Sequence, residues 1–316
     1  MSDDQSISVL FAFDGNYAQH GAACIASLLR HSQSKLEVVI ASTQDPESFA
    51  PRFRKSFDSN DRISIRFVRF EVPSDTNFPT PYTLTKDAYL RLWAHELFPD
   101  RSRVLYLDPD TIVTGSIEEL WNTDLEGKTI GAVPIPNSIR PAQHGMPPGS
   151  LFFNSGVLLM DLEAWRARNY CGKCLDFIQR HPERAIDADQ DILNLCLFGD
   201  WLPLDYKWNV INPFFRPSYD MGLKEAELAR VRAEAVIIHY NGGAKPWMYL
   251  DNHPRQRDYF VNLAQTDWRS YQPVDKTKLN VCRKFLMPFV PPAARTVIKL
   301  AARSMTSYGR RATASA

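Results

Sequence analysis

The chain has 316 residues, of which 44% are hydrophobic and 23% are charged, and this composition excludes a disordered or fibrous protein. The formal net charge of +1 is unevenly spread, because residues 276–316 carry nine basic and no acidic side chains and leave residues 1–275 at −8. An acidic body with a basic tail argues against nucleic acid as the partner of the body and predicts a separate role for the tail.

The first third of the chain alternates between strand and helix patterns. Apolar strand patterns at 7–13, 36–41 and 63–68 are separated by helical patterns, the first with Ala22, Ile25 and Leu29 on one face. A further helical pattern ends at Leu97, before Pro99. Strands and helices in this order predict an α/β fold with one mostly parallel, doubly wound sheet flanked by helices.

The first strand leads into Asp14-Gly15-Asn16-Tyr17, which precedes the first helix. This turn contains neither a dinucleotide-binding fingerprint nor a P-loop. Its carboxylate, amide and aromatic ring suit a nucleoside, because Tyr17 could stack on a base while Asp14 or Asn16 hydrogen-bonds it. The alternative is a plain strand-to-helix turn in which Asp14 or Asn16 caps the helix.

The central feature is an apolar run at 104–107 that continues through Asp108-Pro109-Asp110 to residues 111–113. We predict a strand buried on both faces, with two carboxylates where ligands bind in open α/β sheets. Two carboxylates this close repel each other unless a cation, a shared proton or solvation compensates, and hard oxygen ligands suit Mg²⁺ or Mn²⁺. The alternative is a solvated turn.

Two cations on the preceding helical segment, Lys86 and Arg91, allow two interpretations. Either side chain could be solvated, or could clamp a phosphate or carboxylate near Asp108. A capping box at 116–119 predicts the start of a short helix through Trp121.

The second half of the body continues with a strand at 130–133 and a long loop at 134–150. Asn154-Ser155-Gly156 interrupts the next apolar strand, which predicts either a plain bulge or a close approach of the backbone to a ligand. Residues 165–179 have the pattern of one amphipathic helix, and we interpret Cys171 and Cys174 in it as core residues rather than half of a zinc site.

Two polar groups follow nearer the C-terminus. Residues 187–191 include Asp189 and Gln190 and precede an apolar helix, and capping accounts for one or two of the carboxylates there but not for Gln190. His239 ends a strand and is followed by Gly242, Gly243 and Lys245. A strand-end histidine is commonly structural, but here a neutral imidazole could bind a divalent cation while the lysine and backbone N–H groups bind phosphate.

With these residues in view, residues 7–250 resemble glycosyltransferase family 8, which includes bacterial lipopolysaccharide galactosyl- and glucosyltransferases and glycogenin. Six motifs in the order of the family carry the resemblance: Phe11-Ala-Phe-Asp14-Gly-Asn16-Tyr17, Tyr89-Leu-Arg91-Leu, Leu105-Tyr-Leu-Asp108-Pro-Asp110, Phe153-Asn154-Ser-Gly156-Val, Asp189-Gln190-Asp191-Ile-Leu-Asn and His239-Tyr-Asn-Gly242-Gly-Ala-Lys245-Pro-Trp247.

The resemblance implies a GT-A fold and a retaining enzyme that moves galactose or glucose from a UDP-sugar donor to a saccharide or lipid-linked saccharide acceptor, in lipopolysaccharide or another surface glycan. It also implies the site residues. Mn²⁺, with Mg²⁺ as the alternative, would be held by Asp108, Asp110 and His239. Uridine contacts are expected from Ala12, Asp14, Asn16 and Tyr17, diphosphate contacts from Gly242 and Lys245 with Asp108, and donor-sugar contacts from the catalytic candidates Arg91, Asn154, Asp189 and Gln190.

The chain departs from the family at Val133-Pro134-Ile135, where bacterial members often have a sugar-binding aspartate. Two alternatives to the transferase therefore remain. Asp108-Pro-Asp110-Thr111 also fits the nucleophile motif of haloacid-dehalogenase-type phosphatases, with Asp200 and Asp205 together imitating their second acidic motif, although about a hundred residues precede a nucleophile strand that normally comes first. The other alternative is a UDP-sugar-binding module that has lost transfer.

We predict two domains, a GT-A domain at 1–275 and a basic tail at 276–316. In the tail, Arg295, Lys299 and Arg303 share one helical face, and apolar side chains share another. This pattern predicts attachment to an anionic membrane surface, and a disordered solubilising tail is the alternative. The odd number of cysteines and the lack of a secretory signal predict a cytoplasmic protein, peripheral on the inner membrane's cytoplasmic face.

Overall fold

The computed structural model describes residues 6–74, 76–80, 85–216, 219–243, 245–286 and 290. The chain divides into two compact units, one of Met1–Lys245 with His253–Tyr271 and one of Pro246–Asn252 with Gln272–Ala316. The helix predicted around residues 295–303 lies outside the described residues, and the predicted boundary between residues 275 and 276 stays a prediction.

The strands of the described residues form two sheets, both in the first unit. Their bounds are β1 (Ser6–Ala12), β2 (Lys35–Ser42), β3 (Ile63–Arg69), β4 (Arg103–Leu107), β5 (Thr111–Val113), β6 (Ile130–Pro134), β7 (Phe153–Asp161), β8 (Trp201–Pro203), β9 (Val210–Ile211) and β10 (Ile237–His239).

The large sheet has the strand order β3-β2-β1-β4-β7-β6-β8. β1 pairs in parallel with β2 and β4, β2 pairs in parallel with β3, and β6 pairs in parallel with β8, whereas β7 runs antiparallel to both of its neighbours. The prediction of a mostly parallel sheet is thus confirmed. The small sheet has the order β5-β10-β9 and includes the histidine that ends β10.

Helices of the described residues are α1 (Ala18–His31), α2 (Ala50–Phe57), α3 (Ala94–Leu97), α4 (Glu118–Trp121), α5 (Arg140–Gln143), α6 (Leu162–Ala167), α7 (Tyr170–Arg180), α8 (Asp189–Cys196), α9 (Glu225–Glu234), α10 (Gln256–Leu263) and α11 (Lys278–Leu286). Short 3-10 segments lie at Pro46–Ser48, Lys86–Trp93, Pro182–Arg184, Tyr206–Trp208 and Asn212–Phe215. The apolar side chains of α1, including Ala22, Ile25 and Leu29, are buried as their helical spacing predicted.

One large core cluster holds side chains from both the sheet and its helices. Leu10, Tyr106 and Leu158 contribute from β1, β4 and β7, and Trp93 and Ile192 contribute from helical segments. Cys171 and Cys174 lie in the same cluster, so their interpretation as core residues is confirmed. A sheet whose central strands are buried on both faces explains the continuous apolar runs of the sequence.

Three local predictions are wrong. The apolar run at 104–113 is two strands, because the Asp-Pro-Asp turn carries the chain from the large sheet into the small one. The single helix predicted at 165–179 is divided into α6 and α7 by Asn169, which has the left-handed φ of 51° and caps α7. The capping box at 116–119 does not form, although the short helix through Trp121 is present as α4: the Ser116 hydroxyl accepts from the Glu118 N–H at 3.3 Å, and the Glu119 carboxylate pairs with Lys207.

None of the helices within the described ranges combines the length and the apolar character needed to cross a membrane.

Candidate metal and nucleotide site

The candidate site lies where the two sheets meet in the first unit. β4 ends at Leu107, the Asp108–Asp110 turn follows, and Thr111 begins β5 opposite His239 in the antiparallel pairing with β10. The turn is fixed by Thr111, whose N–H and hydroxyl both donate to the Asp108 carbonyl, at 3.2 and 2.8 Å. The strand register therefore brings His239 beside two carboxylates that are far from it in the sequence.

Three side chains converge at this point. The His239 Nε2 atom lies 3.2 Å from Asp110 Oδ1 and 3.5 Å from Asp108 Oδ2. One potential ligand atom from each of the three residues lies within 4.8 Å of the other two. Within the described part of the chain, this is the group of histidine, cysteine and acidic residues whose geometry could hold a metal ion.

The second nitrogen of His239 is held by two amides. Nδ1 lies 3.0 Å from both Asn154 Oδ1 and Asn209 Oδ1. The amides are oriented in turn, because Asn209 Nδ2 donates to Asn154 Oδ1 at 2.8 Å and Asn154 Nδ2 donates to Gln190 Oε1 at 2.8 Å. Both neighbours of Nδ1 are oxygen acceptors, so Nδ1 carries a hydrogen, and Nε2 is the nitrogen directed at the carboxylates.

Each carboxylate has one oxygen engaged by the protein and one oxygen facing His239. Asp108 Oδ1 accepts from Arg91 Nη2 at 2.9 Å and from the Tyr106 hydroxyl at 2.7 Å. Asp110 Oδ2 contacts the ammonium of Lys245. Two carboxylate oxygens and one imidazole nitrogen are thus directed at a common point, and with a neutral imidazole this donor set fits Mn²⁺ or Mg²⁺.

Lys245 holds Asp110 in its ionised form. Burial opposes this ionisation, but the adjacent Lys245 and His239 keep the pKa of Asp110 well below its usual range. Lys245 also donates to the Tyr240 carbonyl at 2.8 Å. The positive charge predicted to contact a diphosphate therefore lies at the edge of the three-residue group.

Arg91 lies between two acidic side chains and is almost fully buried. In addition to Asp108, its Nη1 is 3.2 Å from Asp189 Oδ2 and donates to the Ser155 carbonyl at 2.6 Å. The guanidinium carbon lies 4.0 Å from the centre of the Tyr106 ring. A planar cation with several fixed donors suits this position. Of the two cations predicted as clamps, Arg91 contacts Asp108, whereas Lys86 is exposed and belongs to the solvated interpretation.

Asp189 and Gln190 lie in the first turn of α8, and both are directed at the β7 segment that contains Asn154. Asp189 Oδ2 accepts from the Ser155 hydroxyl at 3.0 Å, and Gln190 Oε1 accepts from Asn154. Burial raises the pKa of Asp189 to about 6 against the opposing effect of Arg91. The structure thus joins the four predicted donor-sugar residues in one hydrogen-bonded and ionic network beside the group of Asp108, Asp110 and His239.

The Asn154-Ser155-Gly156 segment is a bulge in the β6–β7 pairing, where the register shifts between Ala132 and Val133. At the bulge, the Gly156 backbone lies very close to the His239 and Asp108 side chains. A Cβ on Gly156 would be 2.2 Å from His239 Cε1 and 2.7 Å from Asp108 Oδ2. The sequence predicted either a plain bulge or a close approach of the backbone to a ligand; the structure shows the bulge, and the approach to a ligand stays a prediction. The group that the backbone approaches in the structure is the histidine of the site itself.

The Asp14–Tyr17 turn lies at the end of β1, after the buried Ala12. Asp14 accepts from the backbone N–H of Asn16 at 2.9 Å and from its amide at 3.2 Å, and neither side chain caps α1. Tyr17 is half-buried. Burial raises its pKa, and the nearby Asp110 and Asp108 add to this effect while Lys245 opposes it. The predicted uridine turn is thus electrostatically coupled to the three-residue group.

Gly242, expected to contact the diphosphate, lies after β10 in the loop that follows His239. It is exposed, its φ is +75°, and a Cβ on it would meet no atom within 4 Å. A glycine in this conformation leaves its backbone open to a ligand.

Sequence reasoning missed three residues of the network: Tyr106, Ser155 and Asn209. Only Asn209 had a usable signal, because it interrupts the apolar sequence from Trp208 to Ile211 and is 1% exposed. A polar side chain in an apolar run needs a buried partner. The two residues expected to imitate the second acidic motif of a phosphatase have other partners: Asp200 bonds to Thr129, Tyr170 and Arg168, and Asp205 accepts from the Lys207 N–H at 2.8 Å.

Comparisons with known proteins agree with this geometry. The family model described as glycosyl transferase family 8 matches residues 8–251. General stress protein A of Bacillus subtilis is 30% identical over 291 residues, which cover 85% of this chain and 97% of that protein. The lipopolysaccharide 1,2-glucosyltransferase of Escherichia coli is 25% identical over 284 residues, covering 87% of this chain and 82% of the relative.

The fold is similar to that of the galactosyltransferase LgtC, solved in complex with donor and acceptor sugar analogues. The TM-score is 0.70 at 22% sequence identity, with 83% of this chain and 96% of LgtC covered. The predicted GT-A fold is thereby confirmed.

Proposed function

The chain belongs to glycosyltransferase family 8, and we propose that it is a retaining hexosyltransferase that moves galactose or glucose from a UDP-sugar to a saccharide acceptor. The names of relatives support a hexose donor and a glycan acceptor, since one is a lipopolysaccharide 1,2-glucosyltransferase and another a lipopolysaccharide 1,3-galactosyltransferase. The proposed acceptor is a saccharide or lipid-linked saccharide of lipopolysaccharide or another surface glycan.

The observation that carries the proposal is the convergence of Asp108, Asp110 and His239, with the His239 tautomer fixed by amides on its far side. These three residues would hold Mn²⁺, or Mg²⁺ in its place. When bound, the ion would supply positive charge that stabilises the diphosphate leaving group. Lys245 adds a second positive charge beside Asp110, and we propose that it contacts the diphosphate together with the backbone of Gly242.

The nucleoside would lie against the Asp14–Tyr17 turn. Asn16 is exposed and Tyr17 is half-buried, so an amide and an aromatic ring are open to a base, while the buried Asp14 fixes the turn. The end of β1 at Ala12 forms the floor in this proposal. The electrostatic coupling of Tyr17 to the two metal-binding aspartates supports a nucleotide that spans both regions.

For the transfer step, Arg91, Asn154, Asp189 and Gln190 would surround the donor sugar. Gln190 is uncharged and therefore a weak nucleophile, and Asp189 is engaged by Arg91. We favour front-face attack, in which the acceptor hydroxyl bonds to the anomeric carbon as the phosphate oxygen leaves and takes the hydroxyl proton. In that mechanism the Asp189 carboxylate stabilises the oxocarbenium-like transition state, and direct attack by Asp189 is the alternative.

One titration series tests the proposal. We expect UDP to bind measurably by calorimetry with Mn²⁺ and weakly without it, and one of UDP-galactose and UDP-glucose to be turned over with release of UDP. Absence of Mn²⁺-dependent UDP binding would contradict the proposal. Binding without turnover would indicate an inactive UDP-sugar-binding module, and hydrolysis of p-nitrophenyl phosphate would favour the phosphatase. NMR of the product anomer tests retention.

We also propose that the basic tail attaches the enzyme to an anionic membrane surface, on the cytoplasmic face of the inner membrane. In the second unit, α11 has no buried residue and exposes Leu279, Phe285 and Leu286 beside Lys278 and Lys284. Exposed apolar side chains next to basic ones suit the interface of an anionic bilayer.

A further inference from the structure

The first turn of α8 is conformationally strained where it presents Asp189 and Gln190. Ala188, immediately before the helix, has φ 52° and ψ −127°, a region that residues with a side chain rarely adopt. Strain of this kind persists only when surrounding contacts hold it. The direction of the Asp189 and Gln190 side chains depends on this turn, since both follow Ala188 directly.

A buried carboxylate closes the turn from inside. Asp191 Oδ2 accepts a hydrogen bond of 2.6 Å from the Asp187 N–H, so the contact spans Ala188. The Asp191 side chain is fully buried and cannot contact a substrate. Neither its second oxygen, Oδ1, nor His144 Nε2 has a hydrogen-bond partner within the described part of the chain, and the two atoms lie 3.2 Å apart, at ion-pair distance. A buried carboxylate needs such a partner.

His144 follows α5, in the long loop between β6 and β7. Two further contacts hold it in addition to Asp191. Its carbonyl accepts from Arg184 Nη2 at 2.7 Å, and its ring lies parallel to the Phe152 ring, with 6.0 Å between centroids and 6° between planes. A second contact joins this loop to the turn before α8, because Arg140 in α5 forms an ion pair with Asp187. The loop is thus fastened to the turn around Ala188 from both sides.

We propose that His144 and Asp191 form a positioning pair that holds the strained turn and so fixes Asp189 and Gln190 against the β7 bulge. This inference rests on the proposed function for its kinetic consequence. Neither residue touches the metal-binding group or the predicted nucleotide turn, so donor binding should not depend on the pair. Loss of the pair should instead misplace the donor-sugar residues and lower the rate of transfer.

The test compares two substitutions of His144 in the full-length protein. His144→Phe keeps a ring against Phe152 but removes the nitrogen that faces Asp191, whereas His144→Gln keeps an N–H at a similar reach. We expect His144→Phe to lower kcat for UDP-hexose turnover by about 10- to 100-fold with little change in KM for the donor. His144→Gln should restore most of kcat, and His181→Gln, at a half-exposed histidine, is the matched control. Equal kcat in wild type and His144→Phe, or equal losses in Phe and Gln, would overturn the proposal.

Amide hydrogen exchange gives a measurement that does not depend on activity. Exchange at residues 187–191 should accelerate in His144→Phe and stay near wild type in His144→Gln, with unchanged binding of UDP and Mn²⁺. If His144→Phe does not fold, Asp191→Asn takes its place with the same expectation. Unchanged exchange would overturn the positioning role. A wild-type protein without UDP-hexose turnover would overturn only the proposed function.

Discussion

Gly156 and His239 approach each other so closely that a single methyl group on the glycine would lie 2.2 Å from His239 Cε1. The β7 bulge provides the backbone on one side of the imidazole, and the amides of Asn154 and Asn209 hold its Nδ1 atom. The orientation of the proposed metal ligand is therefore set by packing and by hydrogen bonds together. Several predictions about this side chain can be made from these two constraints.

Gly156→Ala should strongly reduce Mn²⁺ affinity, because the added Cβ would displace both His239 and the Asp108 carboxylate. We expect a loss of more than about 10-fold, measured by calorimetry without nucleotide. The matched control is Gly15→Ala, where the nearest neighbouring atom would be at an ordinary 3.7 Å. Wild-type Mn²⁺ affinity in Gly156→Ala would show that His239 is not needed at its present position.

Asn209→Ala should weaken Mn²⁺ binding by about 10- to 100-fold without abolishing it, because it removes an acceptor that orients His239 from behind. Asn154 still accepts from Nδ1, so part of the orientation remains. Calorimetry with Mn²⁺ measures the effect, and Asn122→Ala, at the end of α4, serves as the control. An affinity equal to that of wild type would exclude a role for this buried amide.

Asp110→Asn should abolish metal-dependent activity, by more than about 100-fold, while the fold stays intact. The substitution keeps the size of the side chain and removes one charged ligand together with the partner of Lys245. Turnover of UDP-hexose with Mn²⁺ measures the loss, and circular dichroism checks the fold. Substantial residual Mn²⁺-dependent activity would contradict the ligand assignment.

Asp189 should make the stability of the metal-free protein depend on pH. Burial raises its pKa to about 6 in the folded state, so the folded protein keeps a proton that the unfolded chain loses from about pH 4 upward. The stabilisation of the folded state by this retained proton is complete below about pH 4 and is lost as the pH rises through about 6. The free energy of unfolding of wild type, relative to Asp189→Asn, should fall by about 2 to 3 kcal/mol between pH 4 and 7. A constant difference in denaturant titrations would contradict this expectation.

The kinetics of the same variant distinguish the two mechanisms of transfer. If Asp189 only stabilises charge, Asp189→Asn should retain measurable turnover and should lack the rise of kcat through about pH 6 that we expect of the wild type. Complete loss of turnover in a correctly folded Asp189→Asn would instead favour direct attack by this carboxylate on the sugar.

Removal of the tail at Lys276 should reduce binding to anionic vesicles and leave UDP binding by the first unit unchanged. The reduction should be larger at low ionic strength, because the tail carries nine basic side chains and no acidic ones. Co-sedimentation with phosphatidylglycerol vesicles measures it, with neutral vesicles as the control. Equal sedimentation of truncated and full-length protein would contradict attachment through the tail.

Most elements of the fold could be predicted from the sequence because their signals are local. The apolar runs of β1, β2 and β3 and the helical spacing of α1 report burial directly, and their alternating order predicts the parallel sheet. The single helix predicted at 165–179 was wrong because apolar periodicity continues across the break at Asn169. A left-handed residue changes the chain direction without changing the pattern of apolar residues.

The sequence by itself determined the chemistry of the candidate site. The spacing of Asp108 and Asp110, the strand-end His239 and the six motifs are all local features, and they predict a cation and nucleotide-sugar site without any knowledge of tertiary contacts. Covalent neighbours stay neighbours in every fold, so residues two positions apart can be interpreted directly.

Only the tertiary structure decided which atoms face each other. The orientation of His239, the partners of Arg91 and the strained turn before Asp189 depend on the β6–β7 register shift and on the pairing of β10 with β5. The polar partners Tyr106, Ser155 and Asn209 come from three separate segments. Their contacts are set by long-range packing, and a buried polar side chain shows its partner only when the strands are assembled.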